Sequence, residues 1–241
     1  MESCMRWLIA LLMACSVPAK SDETVIRDKI LGINPVIQIQ SVKPIADSPF
    51  FEVVLSNGER IYTDARAQHF VAGDLYAVGV GQVTNLTDLA RQDERKVLLQ
   101  SLDASELVVF EPQGDVAHDL LVFTDIDCSY CRKLHEEIEN LLANGVRVSY
   151  AAFPRAGVGS ESFEKYVSVV CADDQQQAMT EAKQGIDPDP KTCANAVEAQ
   201  FRLGQSLGIS GTPTLIFDDG SMQPGYAPWK ELLKRMNQTG S

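Results

Sequence analysis

A buried strand that leads directly into an amphipathic helix, with two cysteines at the junction, most constrains what this chain can fold into. The stretch reads LVFTDIDCSYCRKLHEEIENLL, residues 121–142. Its first part is a nearly continuous apolar run, which is typical of a strand that is buried on both faces. From Cys131 onward, apolar residues recur on one helical face, and Gly145 is suited to end the helix. With the run VRVSYAAF that follows, the stretch predicts a strand–helix–strand unit with parallel strands.

The position of the two cysteines favours redox chemistry. Cys128 falls where the strand ends and the helix begins, where unpaired backbone N–H groups and the helix dipole favour a thiolate. Cys131 follows about one helical turn later, with its side chain towards the core. We therefore predict that Cys128 is an exposed nucleophile and that Cys131 lies beneath it. A mixed disulfide at Cys128 would then be resolved by Cys131 within the same molecule.

A metal site is the main alternative for a Cys-x-x-Cys pair. A structural zinc site needs four nitrogen or sulfur ligands. The chain has no second pair with this spacing, and its three histidines, His69, His118 and His135, are scattered. His135 is expected at the surface or as a helix cap. A zinc site is therefore disfavoured, and the helix-start position also argues against a static disulfide.

The stretch GISGTPTLIF supplies a second candidate site element. Its Thr212-Pro213 pair stands at the start of a predicted strand, where an ordinary turn is one interpretation. A cis bond here would lie beside the cysteines and leave the Thr212 backbone free to pair with an extended peptide. Ser129 and Tyr130, between the two cysteines, are the other candidates for substrate contact.

The N-terminus predicts export. Arg6 precedes an apolar run over residues 7–14, which is too short to span a bilayer, and VPA at 17–19 has the small-residue pattern of a processing site. We predict a cleaved signal peptide over residues 1–19. A lipoprotein anchored at Cys15 is the alternative. Removal of the signal leaves four cysteines, and an even set in an exported protein suggests disulfides.

Short strand-like runs dominate the region 20–82. The run FFEVVLSNGERIYT predicts a hairpin, because Asn57 and Gly58 both tolerate the positive φ of a type I′ turn. A region of this size is marginally stable alone, so it either pairs with a second copy or packs on the rest of the chain. Residues 83–104 then predict a charged, solvated connecting helix. Strands and helices alternate from 105 to 241, and 160–208 is largely helical.

Charge excludes some partners. The formal net charge is −12, and no basic run is present. Such a chain is poorly suited to binding nucleic acid or an anionic membrane face.

Three stretches, FTDIDCSYCRKLHEEI, AAFPRAG and GISGTPT…PGYAP, resemble the periplasmic disulfide isomerases of the DsbC type, which are related to DsbG. The resemblance covers the whole chain. It implies an α+β fold with a small β-rich, cystatin-like dimerisation domain (20–82), a linker helix (83–104) and a thioredoxin-like domain with a helical insertion (105–241). It also implies a V-shaped homodimer with two active sites facing a cleft.

The resemblance assigns roles residue by residue. Cys128 resembles the nucleophile, Cys131 the resolving cysteine and Pro213 the cis-proline, and Cys171 and Cys193 match a structural disulfide. Such a bond should stabilise the fold by roughly 3 kcal/mol in the chain-entropy model, whereas two buried free thiols are the alternative. No diffusible cofactor is expected. The resemblance further implies a membrane electron donor of the DsbD type.

Asp127 departs from the family pattern, in which an uncharged residue such as threonine is expected. A carboxylate next to Cys128 would repel its thiolate, by about 1 kcal/mol at 4 Å in water and about 4 kcal/mol near a protein surface. We therefore expect Asp127 to raise the pKa of Cys128.

The predicted function is a thiol-disulfide isomerase that acts on misfolded exported proteins with wrong disulfides. A dithiol oxidase and a DsbG-like reductant of sulfenic acids are alternatives within the same class. A holdase chaperone, whose cleft binds unfolded polypeptide without redox chemistry, is the alternative from a different class.

Overall fold

The computed structural model describes residues 22–239, which divide into two compact units between Gly73 and Asp74. The predicted signal peptide and the alternative lipoprotein cysteine, Cys15, lie outside the described residues. In the described part of the chain, no helix combines the length and the apolar character that crossing a membrane requires.

The first unit consists of one helix and a four-stranded antiparallel sheet. Helix α1 (Asp22–Ile33) precedes β1 (Ile39–Pro44), β2 (Phe50–Leu55), β3 (Arg60–Asp64) and β4 (Phe70–Ala72), which pair in the order β1-β2-β3-β4. Ile26 and Ile30, four residues apart on one helical face, are buried with Val42 and Val53 of the sheet. Helix α1 was not predicted from the sequence, where only strands were expected here, because two buried isoleucines are a weak periodic signal.

The turn between β2 and β3 differs from the predicted type. The hairpin is present, and the backbone N–H of Gly58 donates to the Leu55 carbonyl at 2.9 Å. Gly58 has a φ of 83°, but Asn57 does not have a positive φ. The prediction of a type I′ turn was therefore wrong, because that type needs positive φ at both central residues.

The second unit begins with a hairpin and a long helix. Strands β5 (Tyr76–Gly79) and β6 (Gln82–Asn85) pair with each other, and Asn85 caps α2 (Leu86–Ser101) by accepting a hydrogen bond from the Asp88 N–H at 2.9 Å. The helix is less solvated than predicted. Arg95 is 3% exposed and donates to the Gly220 carbonyl at 2.7 Å, so α2 packs on the turn that follows β10.

A five-stranded sheet forms the centre of the second unit. Its strands are β7 (Val108–Phe110), β8 (His118–Thr124), β9 (Val146–Ala152), β10 (Thr214–Phe217) and β11 (Met222–Pro224), in the order β11-β10-β8-β9-β7. The β8–β9 pair is parallel, as predicted, and the other pairs are antiparallel. Leu120 and Val122 point into one core cluster and Leu121 and Phe123 into another, which explains the continuous apolar run of β8.

Helices surround this sheet. They are α3 (Ser129–Glu136), α4 (Ile138–Leu142), α5 (Glu161–Val170), α6 (Gln175–Lys183), α7 (Val197–Ser206) and α8 (Trp229–Thr239). Three of them, α5 to α7, make up the predicted helical insertion between β9 and β10. The mixture of helices with a largely antiparallel sheet confirms the predicted α+β class.

A disulfide closes part of this insertion. Cys171, which follows α5, is bonded to Cys193, and the Cα atoms are 5.7 Å apart. Helix α6 lies entirely within the closed loop. The boundaries proposed at residues 82 and 104 stay predictions.

Candidate active site

The other two cysteines of residues 22–239, Cys128 and Cys131, lie at the carboxyl end of the central strand β8. Cys128 is the N-cap of α3, with extended φ and ψ of −82° and 120°, and its carbonyl accepts a hydrogen bond from the Arg132 N–H at 3.0 Å. Cys131 faces inward from the first turn of the helix. The two thiols are not bonded to each other, so the structure corresponds to the reduced pair.

Cys128 is more buried than the sequence suggested. It is 2% exposed, and its Sγ lies 3.3 Å from the Thr212 carbonyl oxygen. The Thr212–Pro213 peptide bond is cis. The expectation of an exposed nucleophile was wrong, because the segment before β10 packs directly against the sulfur, a contact that spans 84 residues.

The two thiols have opposite ionisation tendencies. The Cys128 pKa is lowered to about 5, and the largest cause is a hydrogen bond from Cys131. Burial acts in the opposite direction, whereas Thr212 and the Arg155 charge lower the pKa further. Burial is the largest cause of a Cys131 pKa well above the ordinary thiol range, and the hydrogen bond to Cys128 adds to it. At neutral pH the pair therefore holds a thiolate at Cys128 and a proton at Cys131.

This distribution has a consequence for the pH dependence of stability. The folded, reduced protein favours the Cys128 thiolate, so the resulting stabilisation is fully present above the ordinary thiol pKa. It is lost as the pH falls through about 5.

Asp127 has two positive neighbours, Arg132 and Lys165. Its Oδ1 lies 3.1 Å from Arg132 Nη2 and 3.5 Å from Lys165 Nζ. Its treatment as an uncompensated negative charge was therefore a mistake, and its role in tuning the Cys128 pKa stays a prediction.

Replacing Asp127 with asparagine is expected to lower the Cys128 pKa by less than about one unit, because exposed ion pairs contribute at most about 1 kcal/mol. Thiolate absorbance against pH measures the change. Asp187→Asn is the matched control, since Asp187 pairs with the same Lys165 at 2.9 Å. A fall of two units or more for Asp127→Asn alone would show that the carboxylate acts on Cys128 without compensation.

A buried polar cluster beneath the cysteines was not found from the sequence. The Lys183 side chain ends beside Thr124 and Asp125, and His135 contacts the Tyr150 hydroxyl at 3.0 Å and the Thr180 hydroxyl at 3.1 Å. The expectation of a surface or capping His135 was wrong, since the residue is 5% exposed. One signal was available for Lys183. It stands four residues after the buried Met179, so the two share a helical face.

Asp125 supports the loop that carries Cys128. Its carboxylate accepts the Asp127 N–H at 2.8 Å and the Arg155 N–H at 2.9 Å, and Arg155 Nε lies 3.1 Å away. The side chain is 3% exposed. These contacts fix the turn between β8 and α3.

The outer surface of the site is partly aromatic. Ser129 and Tyr130 are both exposed. The Tyr130 ring stacks on Tyr226, with centroids 6.4 Å apart, and Lys133 Nζ lies 4.6 Å from the Tyr226 centroid. Tyr226 donates its hydroxyl hydrogen to Glu137 at 3.0 Å, which holds the ring against α3. Over residues 22–239, no cluster of three or more His, Cys, Asp or Glu side chains could hold a metal ion.

Two family models match this chain. Residues 17–88 match the N-terminal domain of disulfide bond isomerase proteins, and residues 106–240 match a thioredoxin-like domain.

Curated relatives match along almost the whole length. The thiol:disulfide interchange protein DsbC of Dickeya dadantii is 32% identical over 231 residues, which is 94% of this chain and 92% of the relative. DsbC of Escherichia coli K12 is 31% identical over 233 residues, 96% of this chain and 94% of the relative.

Solved structures agree on the fold. A disulfide interchange protein from Neisseria gonorrhoeae is 29% identical in sequence and superposes with a TM-score of 0.51. The match covers 57% of this chain and 97% of the Neisseria chain. A linker-deleted variant of Proteus mirabilis ScsC is 20% identical, with a TM-score of 0.52, and the match covers 63% of this chain and 83% of the ScsC chain. At this low identity, the similarity shows the fold alone.

Proposed function

Because the chain belongs to the DsbC family of thiol:disulfide interchange proteins, we propose that Cys128 is the nucleophile of its disulfide isomerisation and that Cys131 is the resolving thiol. The observation that carries this proposal is the asymmetry of the pair. Cys128 favours the thiolate at the start of α3, whereas Cys131 is deeper and holds its proton.

The reaction begins when the Cys128 thiolate attacks one sulfur of a wrong disulfide. A bond forms between Cys128 and that sulfur, the client S–S bond breaks, and the second client sulfur leaves as a thiolate. That thiolate can attack another disulfide of the client, which rearranges the pairing and finally releases Cys128. No net oxidation or reduction occurs in this route.

Resolution by Cys131 is the second route. Cys131 attacks Cys128, the bond to the client breaks, and the client sulfur leaves and takes up a proton. The client disulfide has then gained two electrons, and the protein has become the Cys128–Cys131 disulfide. We propose that a membrane thiol reductase of the DsbD type restores the dithiol, since only the reduced protein can begin the cycle.

Client polypeptide would bind around the cysteines. The Thr212 backbone beside Pro213 is the proposed pairing edge for an extended segment. Ser129 and Tyr130 are the proposed side-chain contacts, and their exposure next to Cys128 supports this assignment. Cys171 and Cys193 are assigned to structure, since their bond is remote in sequence from the reactive pair.

Dimerisation would take place through the first unit. Strand β4 is the edge of its sheet, and all three of its residues are exposed. An unpaired strand edge can add a strand from a second copy. We propose a homodimer joined at this edge, in the periplasm, after removal of residues 1–19. The clients are exported proteins with non-native disulfides.

Refolding of a scrambled multi-disulfide protein tests this function. The reduced protein should restore native pairing catalytically, and the oxidised protein should not do so until a reductant is added. Equal rates with both forms would contradict a mechanism that begins at a Cys128 thiolate.

An accompanying chaperone activity is favoured by the β5–β6 hairpin. Tyr76, Val78 and Val83 in this hairpin are 53%, 80% and 66% exposed. Exposed apolar groups of this kind mark interaction surfaces. The double variant Cys128→Ser, Cys131→Ser should still suppress aggregation of an unfolded client if this surface acts without redox chemistry.

A further inference from the structure

Lys183 is a buried, titratable side chain in the second unit. It is 4% exposed, and its Nζ donates to the Thr124 hydroxyl at 2.7 Å and to the Asp125 carbonyl at 2.9 Å. Over residues 22–239, the structure gives this side chain no salt bridge to a carboxylate. Burial of an ammonium is costly unless a negative charge compensates it, at least for part of the time.

The Cys131 sulfur is the site at which such a negative charge must arise. Burial raises the Cys131 pKa and so holds the proton on this thiol. Three neighbours lower the pKa, in decreasing order of effect: the Lys183 charge, the Asp125 backbone and the Thr124 hydroxyl. Thr124 Oγ1 thus accepts from Lys183, and the same hydroxyl favours the Cys131 thiolate. The Thr124 hydroxyl can accept from one of them while it donates to the other.

We propose that Lys183 is a positioning residue for the resolving thiol: through the Thr124 hydroxyl, it takes the proton of Cys131 and stabilises the thiolate that attacks Cys128. This inference rests on the proposed roles of the two cysteines. It concerns only the resolution step and leaves the first attack by Cys128 unchanged.

The proposed proton transfer is balanced. The Cys131 thiol gives its proton to Thr124 Oγ1 as the Thr124 hydroxyl gives its own to the neutral Lys183 amine. The products are a Cys131 thiolate, an intact hydroxyl and a Lys183 ammonium, which then donates to Thr124 as the structure shows. The thiolate attacks Cys128, and the client sulfur leaves with the electron pair of the broken bond.

The other titratable groups around Lys183 are not suited to accept the Cys131 proton. Burial lowers the His135 pKa to about 4, so that ring is neutral, and burial raises the Tyr150 and Tyr166 pKa values, so those phenols keep their protons. Asp125 is paired with Arg155, and Arg132 with Asp127. Burial lowers the Lys183 pKa to about 8, which leaves it able to exchange a proton near neutral pH.

A two-step reaction with 5,5′-dithiobis(2-nitrobenzoate) separates the cysteines. The attack of Cys128 releases one thionitrobenzoate, and the attack of Cys131 on the mixed disulfide releases the second, at a rate independent of protein concentration. In Lys183→Met, we expect the rate constant of the first phase to stay within about twofold of the parent value. The rate constant of the second phase should fall by about tenfold or more, because the Cys131 pKa should rise by about one unit or more. The second phase should level off above about pH 8 in the parent protein, and keep rising in the variant.

Two further variants make the test specific. Thr124→Val, which removes the linking hydroxyl with little change in shape, should also slow the second phase. Lys191→Met is the control, because Lys191 is a lysine of the same insertion that is 40% exposed and pairs with Asp173, and it should leave both phases unchanged.

The outcomes separate this inference from the proposed function. An unchanged second phase and pH profile in Lys183→Met would overturn it, and if that variant does not fold, an unchanged second phase in Thr124→Val would do so. Release of a single thionitrobenzoate by the parent protein would instead contradict the roles of Cys128 and Cys131.

Discussion

Replacing Cys131 with serine should convert the protein into a trap that stays covalently bound to its clients. Serine has nearly the shape of cysteine, but its hydroxyl does not displace the client sulfur from Cys128. Only a thiol of the client or of the solution can then release the complex. Because Cys131 is held in position beneath Cys128, whereas a thiol of the client or of the solution is not, we expect the mixed disulfide to persist at least about 100-fold longer.

Non-reducing gels and mass spectrometry of the adducts measure this effect. Each adduct should be bonded through Cys128, and Cys128→Ser should give no adduct and no exchange with any disulfide. Cys171→Ser should form the same transient complexes as the parent protein, with a loss of stability only. Adducts through Cys171 or Cys193 would contradict the proposed division between a reactive and a structural pair.

The second large effect is expected at the proposed dimer edge. In Val71→Lys, two ammonium groups would be brought together wherever β4 strands of two copies pair, so we expect a monomer in sedimentation experiments. The variant should still reduce a simple disulfide at nearly the parent rate, because Cys128 and its neighbours are unchanged. Isomerisation of a scrambled client should fall by about tenfold or more, since the second active site is lost from the local environment of the client.

Val36→Lys provides the matched control for this variant. Val36 is 79% exposed and precedes β1, at the opposite edge of the same sheet. A substitution tests the interface better than deletion of residues 20–82, because that deletion would cut into β6 (Gln82–Asn85). A Val71→Lys protein that remains dimeric, or a monomer that isomerises as well as the dimer, would refute the proposed role of the first unit.

The sequence predicted those parts of the structure whose causes are local. The strand before Cys128 and the helix after it follow from apolar periodicity and the helix-start position, and the family resemblance stated from these motifs is confirmed. The parallel β8–β9 pair follows from the helix that connects the two strands.

The features that were missed depend on residues distant in sequence. Cys128 is buried because Thr212, 84 positions later, lies against it. One of the two cations that compensate Asp127, Lys165, is 38 positions later, whereas the other, Arg132, is only five positions later. Lys183 reaches Thr124 across 59 positions. Local patterns do not encode these distances, and a charged residue is ordinarily assigned to the surface.

The protein itself contains a disulfide, Cys171–Cys193, so its own maturation requires the kind of chemistry that its family performs. The loop that this bond closes carries α6, and α6 ends at Lys183 beneath the reactive pair. Residues 22–239 contain four cysteines, of which two must become bonded and two must stay free for exchange to begin. Correct pairing of its own cysteines is thus a step in the maturation of the active site, and an error there would leave α6 without the bond that constrains its loop.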